Sequence, residues 1–136
     1  MNQRGFATLE VILMVIVIGV LASMAIPRFG DVTTRANTAK IQSDLSTLDS
    51  AIAIYYMEKG KYPTSLAELK DYVRGVEGEN PELKPPKGYA YIEGTAQEIP
   101  NESYTLKQVD GTDDTNGEKE RQAFLGNYTA EKFYKN

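Results

Sequence analysis

Gly5-Phe6-Ala-Thr-Leu-Glu10 runs directly into Val11-Ile-Leu-Met-Val-Ile-Val-Ile-Gly-Val-Leu-Ala-Ser-Met-Ala-Ile26. Residues 6–26 hold a single charge, Glu10. Coiled as an α-helix, this stretch is roughly 31 Å long, about one hydrocarbon core of a bilayer. Ahead of it stands Met1-Asn-Gln-Arg-Gly5, short and polar, with one cation at Arg4. Arg4 and the starting amine favour an N-terminus on the cytoplasmic side, with the rest of the chain outside. Nearly all remaining charge follows residue 26. The chain thus divides into an apolar first quarter and a soluble remainder of about a hundred residues, enough for one small domain.

Three readings fit an apolar run in this place. A secretory signal peptide would be cut at a small-residue site, and Ser23-Met-Ala25 before Ile26 would serve. A plain single-span anchor would remain uncut. Neither accounts for Glu10, because a carboxylate inside a membrane helix costs ~3 kcal/mol at mid-bilayer and less near the interface. The third reading is a resemblance. The stretch Gly5-Phe6-Ala7-Thr8-Leu9-Glu10 after a short basic leader, followed by about twenty apolar residues, resembles the type IV pilin and type II secretion pseudopilin family. Residues 7–9 read Ala-Thr-Leu where the family's commonest wording is Thr-Leu-Ile, while glycine, the aromatic residue and the glutamate are kept.

The resemblance implies a prepilin peptidase cut after Gly5 and N-methylation of the new end at Phe6. It implies assembly through Glu10, by way of inner-membrane platform proteins, into a helical filament of identical subunits. A glycine before the cut leaves the scissile bond unobstructed. The cut frees an amine about one helical turn from Glu10, and a charge in so apolar a setting wants a partner. The amine of an incoming subunit would supply one and fix the axial register, because a wrong stagger leaves Glu10 unpaired. A simpler role for Glu10 is favourable contact with the helix dipole. Gly19 and Pro27 also match family positions. Gly19 weakens the helix, and Pro27 removes a backbone donor, so residues 19–27 are expected to bend or unwind in a filament. Alternatively Pro27 marks only the membrane exit.

Beyond Pro27 a helical pattern resumes. Ile41, Leu45, Leu48, Ile52 and Tyr55 recur at spacings of four, three, four and three, and mark one buried face. Val32 and Ala36 are read as its extension, with Lys40, Asp44, Asp49 and Glu58 mostly off it. Gly60, after Lys59, is the expected stop. Gly60-Lys-Tyr-Pro-Thr-Ser-Leu66 is similar to a stretch that follows the long helix in pseudopilins. There Ser65 and Glu68 suit a capping box, and Leu66, Leu69 and Val73 suit the inner side of a short helix over about 65–74. Residues 75–88 read as loop, and Tyr89–Glu93 and Ser103–Val109 as strands joined by Gly94–Asn101. Gln122–Tyr134 offers a further strand.

The expected fold is α+β and pilin-like: a leader (1–5), a membrane-spanning and assembly helix (6–27), and a periplasmic or extracellular head (28–136). In the head an amphipathic helix over 28–59 carries a small antiparallel sheet starting near residue 89. Most of the nine tyrosines are expected to cover that core with hydroxyls reaching water.

The chain has no Cys and no His, which excludes thiol nucleophiles, Cys/His zinc sites and His-dependent triads. No basic run points to nucleic acid. No nucleophile–base pair or phosphate loop suggests an enzyme. Asp110-Gly-Thr-Asp-Asp-Thr-Asn-Gly-Glu118 has oxygen ligands that suit calcium, but Thr112 and Ala123 stand where an EF-hand loop places Asp and Glu. A solvated acidic turn fits as well, and no metal-ligating residue is assigned. The expected location is a single pass through the cytoplasmic membrane, in contact with lipid, and then a pilus or pseudopilus. The competing function is an anchored extracytoplasmic ligand-binding module that does not polymerise.

Overall fold

The computed structural model describes residues 3–76, 83–110 and 116–136, and the backbone alone for 25–29. Helix α1 spans Gln3–Lys59. Gly60 follows, its N–H donating to the Tyr56 carbonyl at 2.9 Å. The chain packs as two units, Met1–Thr33 and Thr34–Asn136.

In the second unit, the apolar stripe read from the sequence is the core. Ile41, Leu45 and Leu48 are fully buried, and Ile52 and Tyr55 nearly so. Against them pack Leu69, Val73, Ala90, Ile92, Tyr104, Leu106, Ala123, Leu125 and Phe133. Val32 and Ala36 depart from expectation, since both are exposed. Ala36 lies five residues before Ile41, about 140° round the helix, so the stripe cannot pass through it. Its true continuation is polar and runs through Thr38, Asn37 and Thr34.

Strand β1 (Tyr89–Ile92) pairs antiparallel with β2 (Thr95–Glu98), Tyr89 opposite Glu98 and Ile92 opposite Thr95. Strand β3 (Tyr104–Gln108) pairs antiparallel with β4 (Arg121–Leu125), Tyr104 opposite Leu125. Among the described residues the head therefore holds two two-stranded sheets rather than one. The stretch expected to be a connection, Gly94–Asn101, contains β2. Its residues Thr95-Ala-Gln-Glu98 have no apolar alternation, and three of the four are exposed. What makes them a strand is the preceding turn. Glu93 and Gly94 have φ of +50° and +84°, the signs of a two-residue hairpin turn that matches strand twist. The strand expected within Gln122–Tyr134 is confined to β4 and is followed by a 3₁₀ turn at Ala130–Lys132. The short helix expected over 65–74 is a 3₁₀ turn at Leu66–Leu69, with Leu69 and Val73 buried and Leu66 half-buried.

A lone two-stranded sheet is barely stable in water, and its outer edge carries unpaired backbone groups. Helix α1 closes both. The Thr38 hydroxyl accepts the Tyr91 N–H at 2.7 Å and donates to the Thr34 carbonyl at 2.7 Å. Asn37 Nδ2 donates to the Tyr89 carbonyl at 3.0 Å. On the other sheet, Asp49 Oδ1 accepts the Ala123 N–H at 2.7 Å. The β4 edge is completed by Leu125 and Tyr128, which exchange two backbone hydrogen bonds. Thr38→Val should therefore destabilise the head by about 1–3 kcal/mol, because the half-buried Tyr91 N–H loses the Thr38 acceptor. Leu48→Ala should cost about 2–5 kcal/mol through the cavity it leaves. Thermal or denaturant unfolding followed by circular dichroism measures both, and a change within 0.5 kcal/mol at Thr38 would mean the helix does not hold that edge.

Candidate functional site

Among the described residues of the first unit, none is buried. Every described side chain from Gln3 to Met24 is exposed, although this segment has a mean hydropathy of 2.5 and the length to cross a membrane. It is apolar all the way round, which marks a helix that is buried by something other than its own chain. Phe6 is 58% exposed and lies one turn before Glu10. Glu10 borders a shallow groove with Leu13, Met14, Val17 and Ile18. Among the described residues Glu10 has neither a hydrogen-bond partner nor an ion pair. The few polar side chains nearby turn back on the helix: Thr8 Oγ1 donates to the Arg4 carbonyl at 2.9 Å, and Ser23 Oγ to the Val20 carbonyl at 2.7 Å. A Cβ added at Gly5 or Gly19 would meet no atom within 4 Å. Packing within the subunit therefore gives no reason for glycine at either place. α1 continues as helix through Gly19 and Pro27.

In the second unit the face of α1 opposite the core carries Ala36, Ala39, Ser43, Ser46, Ser50 and Ala53, all exposed. Their spacings of three and four make a continuous strip of small residues. The sequence reading did not single it out, because it reads as an ordinary polar face; only the burial pattern shows that it stays uncovered.

The Tyr62–Leu69 stretch is organised by one carboxylate. Glu68 Oε2 accepts from the Thr64 N–H, from the Thr64 hydroxyl at 3.0 Å and from the Ser65 N–H at 3.3 Å. Glu68 Oε1 accepts the Tyr55 hydroxyl at 3.1 Å. This is the glutamate half of the expected capping box, joined to the long helix through Tyr55. Burial acts to raise the Glu68 pKa, but the hydrogen bonds from Thr64, Tyr55 and Ser65 together hold it below the ordinary glutamate value. Gly117 locks the other side of this stretch. Its carbonyl accepts the Tyr62 N–H at 2.9 Å, its φ is +66°, and a Cβ there would lie 2.6 Å from the Tyr62 carbonyl oxygen.

Tyrosine hydroxyls go to carboxylates rather than to water in three cases. Tyr55 bonds Glu68, Tyr72 bonds Glu58, and the buried Tyr104 bonds Asp44 at 2.7 Å. Asp44 also pairs with Lys40 at 2.6 Å. The Glu58 hydrogen bond, with burial second, pushes Tyr72 up to about 12. Burial, then Asp44, pushes Tyr104 up as well. Burial likewise raises Asp49, against the hydrogen bonds from Ala123 and Gln122. In the acidic stretch Asp110–Glu118, residues 111–115 lie outside the described residues. Among those described, no group of three or more acidic side chains is placed to hold a metal.

The depressed pKa of Glu68 has a definite sign. Its contribution to stability is complete above the unfolded glutamate pKa of about 4.3 and is lost as pH falls through the lower folded value. Acid unfolding of the head should therefore be shallower below about pH 4.3 in Glu68→Gln than in the unmodified chain. Unfolding free energy measured from pH 2 to 6 decides it, and parallel curves would remove Glu68 from the acid response.

The chain is similar to the type II secretion system core protein G of Klebsiella pneumoniae, with 31% identity over 105 residues, 77% of this chain and 74% of that protein. It is 32% identical over 99 residues to the protein of the same name in Escherichia coli, covering 73% and 65%. It is 34% identical over 64 residues to the type IV narrow pilus major component PilA5 of Thermus thermophilus, covering 47% and 55%. No family model matches the chain, and no solved structure matches it significantly.

Proposed function

The chain belongs to the family of type II secretion pseudopilins and type IV pilins, and from that premise we propose that it is a structural filament subunit, cut after Gly5, N-methylated at Phe6 and assembled through Glu10. One observation carries the reading: an apolar helix that its own subunit leaves uncovered, with a single carboxylate that has no partner there. Such a helix needs lipid before assembly and neighbouring copies afterwards. The subunit would sit in the cytoplasmic membrane with its N-terminus inside, and be passed by platform proteins into the filament.

The cut supplies what Glu10 lacks. It removes Arg4 and leaves an ammonium on Phe6, which on a neighbouring subunit can approach Glu10 in an apolar surround. There an ion pair is far stronger than in water, and an unpaired charge is costly. Charge pairing then selects the stagger between copies. The bare flanks of Gly19 and the small-residue strip from Ala36 to Ala53 support close approach between helices, because small side chains let backbones come together. Residues 19–27, helical in the single subunit, would bend or unwind in the filament.

Glu10→Ala should still be cut, leaving Phe6 as the first residue by mass spectrometry, yet should build no filaments visible by electron microscopy. Normal filaments from that variant would end the charge-pairing account. A mature protein starting at Met1 or Ile26 would end the processing account.

A further inference from the structure

In the uncut chain α1 begins at Gln3, so the Gly5–Phe6 bond lies inside the helix rather than in a free leader. Helical pairing puts the Arg4 carbonyl on the Thr8 N–H and the Gly5 carbonyl on the Leu9 N–H. The Thr8 hydroxyl adds a second bond to the Arg4 carbonyl, at 2.9 Å. Hydrolysis adds water across the Gly5–Phe6 peptide. Hydroxide bonds to the Gly5 carbonyl carbon, the C–N bond breaks, and the Phe6 nitrogen takes up a proton. A carbonyl engaged in a helical hydrogen bond, with the chain coiled round it, hides the face that the water must attack. An extended segment laid along a peptidase cleft exposes it.

Three local features weaken this turn. The first turn has no acidic residue, and Arg4 puts a cation at the positive end of the helix dipole. Gly5 is the least helix-favouring residue apart from proline, and open space surrounds it. The Thr8 back-bond competes for a backbone carbonyl, which loosens and bends helices. The weak stretch ends at Leu9, where the apolar run takes over.

We infer that the helix opens from Gln3 through Thr8 before it is cut, and that Gly5 is a positioning residue whose low helix propensity sets how often this opening occurs. The inference rests on the processing reading above and adds a conformational requirement to it. If only the open fraction binds the peptidase, apparent KM rises in inverse proportion to that fraction while kcat stays the same.

The test uses the full chain in detergent micelles with a prepilin peptidase. Cleavage is followed by mass spectrometry, and hydrogen exchange of the position 9 amide is measured on the uncut chain. Gly5→Ala is expected to raise KM about five-fold at unchanged kcat and to slow that exchange by the same factor. Adding Ala7→Gly should bring both back to within about two-fold of the unmodified chain, with Leu9→Gly as a second way of loosening the same turn. The inference is overturned if Gly5→Ala lowers kcat instead. It is also overturned if the loosening variants speed exchange without restoring KM, because glycine then acts by fitting the cleft. If the unmodified chain is not cut between Gly5 and Phe6 at all, the processing reading falls and this inference with it.

Discussion

Two hairpins of two strands each cannot stand alone in water, and the head exists because one helix closes the open edges of both. Asn37 and Thr38 take the Tyr89 carbonyl and the Tyr91 N–H of β1, and Asp49 takes the Ala123 N–H of β4. These bonds do for the sheets what a third strand would do, and they set where each hairpin docks along α1. The buried stripe from Ile41 to Tyr55 then supplies the non-directional part of the stability. Removing the stripe would cost energy alone, whereas removing the polar residues beside it would cost energy and also the docking position.

The tyrosines follow the same logic. Tyr55, Tyr72 and Tyr104 bring large apolar rings to the helix–sheet layer and end on Glu68, Glu58 and Asp44. A phenol buried without an acceptor is costly, so each ring is tied to a carboxylate that water would otherwise hold. Such pairs also explain why so acidic a chain keeps aspartate and glutamate next to its core. Glu68 joins the end of the helix, the Thr64–Ser65 turn and Tyr55 in one arrangement.

The N-terminal unit follows the opposite rule. It satisfies its backbone within the helix and leaves its described side chains unburied, and on the proposed function lipid and then other copies would supply the burial. On the proposed function, Glu10 and an amine freed at Phe6 would be complementary, and cutting and assembly would be linked steps. The Gly5–Phe6 bond lies within α1, so on the inference above an opening of the helix would precede the proposed cut. Arg4, Gly5 and Thr8 beside it favour such an opening.

Much of this was legible in the residues alone. The apolar run, Glu10 within it, the stripe Ile41–Leu45–Leu48–Ile52–Tyr55 and the stop at Gly60 are local patterns, set by a period of 3.6 residues and by the cost of a charge in an apolar place. They are written in neighbouring positions, so the sequence by itself determined them. The second sheet, the strand hidden in Thr95–Glu98, the polar continuation of the stripe through Thr38 and Thr34, and the carboxylate ends of the tyrosines were decided only by the tertiary structure. Apart from the Thr95–Glu98 strand, which the turn before it sets, each depends on a partner far away in the chain: Tyr91 for Thr38, Ala123 for Asp49, Asp44 for Tyr104. Whether a polar residue beside an apolar face meets water or a strand edge is a matter of what packs there, and no local period carries that information.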